Sequence, residues 1–111
     1  LNNIKSIDNL TKNSNDLSNV LLLRKLSQIA NGRYNTKSFF EYLCLSSGYI
    51  DAMNTIYTNW ESVKNLFIKV IISQNLKLIP KIKQELHVIA NLENDLCHTI
   101  IKEEKNRYAN N

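Results

Sequence analysis

Tyr49, Met53, Ile56, Trp60, Val63, Phe67 and Val70 recur at alternating intervals of four and three residues. No other feature restricts the fold as tightly. A strand puts alternate residues on one face and needs a period of two; a helix brings residues three and four apart together. A 3.5-residue period held this long describes one long helix with an apolar seam. Such a seam packs along a neighbouring helix at a shallow angle. Leu66, Ile71 and Ile72 widen the apolar face near its end. Asp51 is the expected N-cap, which leaves Tyr49 and Ile50 in the connector before it.

The remaining segments also read as helices. Leu17, Val20, Leu21, Leu22, Leu23, Leu26, Ile29 and Ala30 have helical spacing. Asn15 can cap them, and Asp16 adds favourable charge to the first turn. Gly32 is a fitting stop, because glycine readily takes the left-handed conformation that ends helices. The first predicted helix is therefore 16–31. Thr36 then caps a helix of about ten residues with Phe39, Phe40, Leu43 and Cys44 on one face, closed by Ser46-Ser47-Gly48. Residues 75–79 form a break, and Pro80 suits the first turn of a last helix. There Ile82, Leu86, Ile89, Leu92, Leu96 and Ile100 follow at helical spacing, while Glu93 interrupts a strict heptad. Ile4, Ile7 and Leu10 predict a short extra helix or turn at the N-terminus. The expected fold is all-α, one domain over 1–111, an antiparallel bundle of four main helices. Residues 1–14 and 103–111 are expected to be peripheral or frayed.

Composition excludes much else. Two glycines and one proline are too few for the tight turns of a sandwich or barrel. They are also too few for glycine-rich loops around a phosphate. With 43% apolar and 22% charged residues, the 111-residue chain can build one core. No apolar run reaches transmembrane length, since Lys64, Lys69 and Lys77 interrupt the most hydrophobic stretch. No signal peptide is visible. The chain opens on Leu1 and not on methionine, as a fragment or a processed product would. The compartment is left open, with an intracellular reading ahead of a secreted one.

Catalytic and metal chemistry find little support. His87 and His98 share a helix face but lie about 16 Å apart along the axis, too far to hold one ion. Cys97 and His98 are adjacent, so they point about 100° apart, and a nucleophile needs its base within hydrogen-bond reach. Glu93 with Asp95, and Glu103 with Glu104, lack the Glu-x-x-His spacing of di-iron bundles. No serine sits in Gly-x-Ser-x-Gly, and no Walker or EF-hand loop occurs. No catalytic residue, metal ligand or cofactor is expected.

Net charge is +4, from 14 basic and 10 acidic residues. Lys64, Lys69, Lys77, Lys81 and Lys83 form a basic stretch with no acid between Glu61 and Glu85. It could meet nucleic acid or an anionic surface. No arginine cluster accompanies it, so nucleic acid is not the favoured partner. Trp60, Val63 and Phe67 read first as core. If exposed instead, Tyr57, Trp60, Lys64 and Phe67 would receive a partner helix or a second copy. In a secreted chain Cys44 and Cys97 would form one disulfide; in the cytosol they would be small buried hydrophobes. Asn9-Leu10-Thr11 is a glycosylation sequon, relevant only to a secreted protein.

Residues 21–72 faintly resemble the small helical bundle at the N-terminus of transcription elongation factors. That family has a leucine-rich helix, a threonine opening the next, and a mid-domain glycine; Leu22, Leu26, Thr36 and Gly48 correspond. Here Trp60 stands early in the long helix, where the family's tryptophan closes the last one, and the Thr-to-Gly spacing is longer. No site residue is carried over. The functional expectation is a non-enzymatic protein-interaction module, binding a partner or itself through an apolar seam or a groove beside it. A secreted helical effector with one disulfide is the first alternative. A basic adaptor for nucleic acid or an anionic surface is the second.

Overall fold

The computed structural model describes residues 17–109, all helical apart from two short connections. Helix α1 is Leu17–Tyr42 and helix α2 is Ser47–Ser73. A 3-10 turn, Leu76–Leu78, leads into helix α3, Ile79–Ala109. The predicted caps Asn15 and Asp16, the N-terminal turn and the sequon lie outside the described residues.

The expected four main helices are corrected to three among the described residues. The two helices predicted over residues 16–45 are one, because Gly32 does not leave the helical conformation. Neither glycine has a positive φ. Thr36 is not an N-cap; its hydroxyl donates back to the Gly32 carbonyl at 2.9 Å, one turn earlier in the same helix. A glycine inside a helix costs about 1 kcal/mol relative to alanine. Leu26 and Ala30 before it are fully buried and Phe40 beyond it packs on the core, so continuing the helix keeps both halves in contact with α2.

The left-handed positions fall elsewhere. Cys44 has φ 54° and Gln74 has φ 56°. At Cys44 the Leu45 amide donates to the Phe40 carbonyl at 3.1 Å and the Cys44 amide to that of Glu41 at 3.0 Å. This is the Schellman pattern that satisfies the last carbonyls of a helix. Gln74 ends α2 with its amide donating to the Val70 carbonyl at 2.8 Å. Helix α2 starts with Ser46 as its cap residue, not Asp51, so Tyr49 and Ile50 are helical. Asn75 accepts from the Lys77 amide and shapes the turn into Pro80, which sits in the first turn of α3 as expected. Helix α3 runs on to Ala109, past the predicted fraying point, with residues 101–107 exposed.

The heptad seam is the core. Met53, Ile56, Trp60, Val63, Phe67 and Val70 are all buried, with Leu66 beside them. Leu26 and Ala30 close over the seam from α1, and Ile82, Leu86 and Ile89 from α3. Ile72, expected to widen this face, is instead exposed. Helix α2 is thus the central element, packed on both neighbours, and the molecule is a rod of 58 × 22 × 18 Å.

Two substitutions test this architecture by urea denaturation. Gly32→Ala is expected to stabilise the protein by about 0.5–1 kcal/mol, since nothing lies within 4 Å of the added carbon. A left-handed helix stop at Gly32 would give the opposite sign. Phe67→Ala should cost about 3–5 kcal/mol, as expected for emptying a fully buried aromatic site.

Candidate functional site

Glu93, the residue that broke the heptad of α3, joins all three helices. Its carboxylate accepts from the Arg33 guanidinium of α1: the Arg33 Nε bonds Oε2, and a second guanidinium nitrogen reaches Oε1 at 3.2 Å. The same Oε2 accepts from the indole N–H of Trp60 on α2 at 3.2 Å. The Arg33 guanidinium carbon lies 6.0 Å from the Trp60 ring centre. A forked arginine–carboxylate contact is among the stronger polar pairings, and it fixes direction as well as distance. The buried tryptophan has its one donor satisfied at the same time.

This node crosses an open trough between α1 and α3. On one side lies a hollow of about 290 Å³, lined by Arg33, Thr36, Met53, Ile56, Leu96 and Ile100, among others. On the other lies one of about 410 Å³, lined by Ile29, Trp60, Ile89, Ala90 and Asn94, with the node between. Cys97 borders both. The floor comes from α2 and is mostly apolar. At the far end of the trough Phe39, Leu43 and Ile101 are 56, 47 and 50% exposed. By helical spacing Phe39 and Leu43 continue the Thr36 side of α1, and Ile101 follows Cys97 by one turn.

The residues singled out in the sequence are scattered. Trp60 and Phe67 are buried in the chain's own core, so neither presents a face to a partner helix. Tyr57 is half-buried and meets Tyr34 edge-on, with ring centres 5.3 Å apart. Lys37 stands 5.1 Å over the Tyr34 ring. Lys64 pairs with Glu61 at 2.9 Å, a turn away on α2. Lys69 is exposed on α2, Lys77 on the 3-10 turn and Lys81 on α3. Lys81 and Lys83 are two residues apart and so point roughly 200° from each other. The five lysines therefore do not share a face. Cys44 and Cys97 are both free thiols and both exposed, neither bridged nor buried. His87 and His98 are exposed on α3. Among the described residues no cluster of three or more His, Cys, Asp or Glu could hold a metal ion. No helix among them is long and apolar enough to cross a membrane.

The trough was missed in the sequence because Arg33 was assigned to a connector and Thr36 to the N-cap of a separate helix. The sole signal was Glu93 itself, a charged residue where the pattern wanted an apolar one. Comparison with known proteins adds no further guidance: no family model, no curated protein and no solved structure matches the chain.

Two carboxylates on α3 are in opposite situations. Glu93 is multiply bonded, whereas Glu85 has its Oε2 buried with no hydrogen-bond partner. Glu93→Leu is expected to destabilise by roughly 1–3 kcal/mol, because it strands the indole and the guanidinium. Glu85→Leu should stabilise by about 1 kcal/mol, since an unpaired buried oxygen disappears. Thermal and urea unfolding of the two variants should therefore shift in opposite directions.

Proposed function

We propose that the chain is a non-enzymatic protein-interaction module and that a partner helix lies in the trough between α1 and α3. The observation that carries this reading is the trough itself: two hollows lined largely by apolar side chains of all three helices, on either side of one polar node. An unfilled groove between roughly parallel helices is the shape a further helix packs into. The lining of α3 extends from Ile89 to Ile100, about 16 Å along the axis, or three turns of a docked helix. Phe39, Leu43 and Ile101 extend the apolar contact at one end. An interface of this length falls in the small, transient class.

The seam residues Trp60, Val63 and Phe67 belong to the floor and the core in this reading, and the partner meets the groove beside them. A helix docked there would make the assembly a four-helix bundle.

Amide chemical shifts test the proposal. A leucine-striped helical peptide with a neutral glutamine face is titrated into the labelled protein. Shifts concentrated at Ile29, Arg33, Ala90, Asn94 and Cys97 are the expected result. Ala90→Trp, which fills the 410 Å³ hollow, should abolish them while changing stability by no more than about 1 kcal/mol. Absence of shifts at these positions would sink the reading.

A further inference from the structure

The contacts that make the polar node do not exhaust it. A guanidinium carries five N–H donors, and the pairing with Glu93 engages two of its nitrogens, Nε and one terminal nitrogen. An ionised carboxylate offers about four acceptor sites. Glu93 uses Oε2 for the Arg33 Nε and the Trp60 indole, and Oε1 for one further guanidinium bond. Arg33 and Glu93 line both hollows, and their side chains are 35 and 28% exposed. The pair thus presents N–H donors beside a carboxylate lone pair at the middle of the trough, with no net charge. The hollows on either side set a spacing. Ile29 and Thr36 of α1 line one hollow each, as do Trp60 and Met53 of α2, and the members of both pairs are seven residues apart. Seven residues of helix rise about 10.5 Å, or two turns. A helix that fills both hollows does so with side chains seven apart, and its position three or four residues after the first meets the node.

We infer that the partner helix is marked by an amide: two apolar side chains seven residues apart, with Asn or Gln between them against the Arg33–Glu93 pair. This rests on the docking reading above and adds the chemistry of the residue at the centre of the interface. The amide carbonyl accepts from the guanidinium and the amide NH2 donates to Glu93 Oε1, so one neutral side chain serves both halves of the pair. A leucine there would bury both halves without new partners. A glutamate would stand against Glu93 and a lysine against Arg33, and like charges set together oppose binding. A single polar residue within an apolar helical seam fixes register and discriminates between partners. A second copy of this chain lacks a matching face: among the described residues no two exposed large apolar side chains lie seven apart on one helix.

Four helical peptides test this. All carry leucines seven apart and glutamine on the solvent face, and they differ only at the central position, which is glutamine, leucine, glutamate or lysine. Affinity is read from the amide shifts of Ala90, Asn94 and Cys97 as each peptide is titrated into the labelled protein. The peptide with central glutamine should bind roughly tenfold more tightly than the one with central leucine, and more tightly than either charged one. In the Arg33→Leu, Glu93→Leu double variant the order of the glutamine and leucine peptides should reverse. The ranking on the unaltered chain decides the matter whether or not that variant folds. Equal affinity for the glutamine and leucine peptides, or tightest binding by any peptide other than the glutamine one, would overturn the amide and leave the docking reading standing. Shifts with none of the four would overturn both. A dimeric mass by light scattering that is lost in Ala90→Trp would put a second copy in the trough and overturn the amide-marked partner.

Discussion

Helix α2 carries more apolar surface than one neighbour can cover. Its buried set runs from Met53 and Trp60 to Leu66 and Val70 and packs with Leu26 and Ala30 of α1 and with Ile82, Leu86 and Ile89 of α3. Burying a large apolar side chain fully is worth about 1.5–3 kcal/mol, so exposing either flank of α2 would remove several such terms. Both α1 and α3 must therefore lie against it. Helices that each pack on a third need not pack on one another, and here they do so little. The trough is the geometric remainder of that arrangement, and its floor is the flank of α2 that lies between the two walls.

An open apolar groove is a liability for a monomer unless something fixes its width. The Arg33–Glu93–Trp60 node does so with directional bonds rather than with bulk. Side chains large enough to fill the same space with hydrocarbon would close the groove. A carboxylate held by a guanidinium spans it and leaves hollows on either side. The stabilisation is moderate, because both groups remain about a third exposed and water competes for their bonds. Its value to the fold is orientation: Glu93 can satisfy the indole only if α3 is placed in one rotation and one register against α2.

The helical class was legible because period-3.5 spacing has no strand equivalent. The centre of the long helix, its seam, the break near Asn75 and the start at Pro80 all follow from local patterns. Helix boundaries followed the sequence less well, for a specific reason. Gly32 and Gly48 were read as punctuation, yet both sit in helical backbone, while the left-handed turns fall on Cys44 and Gln74. A residue with a β-carbon pays about 1–2 kcal/mol to adopt that conformation. Cys44 and Gln74 do so because tertiary packing fixes where α1 and α2 must stop. Local propensity cannot register that constraint. Once Gly32 was misread, Arg33 became a connector residue and its partnership with Glu93 was hidden. The pair is separated by sixty positions, and no periodicity encodes a contact of that range.

The two chemical signals in α3 separate once the fold is known. Apolar positions at helical spacing tell where α3 touches α2, and Glu93 tells where it does not. A charged residue placed among core positions must find a partner or lose several kcal/mol to desolvation. Arg33 is that partner, and the contact requires α1 to come near α3 without closing on it. One polar substitution in an apolar face thus distinguishes a sealed three-helix core from a core with a groove. That distinction makes α3's remaining edge, with Ala90, Asn94, Cys97 and Ile101, a rim rather than an interior.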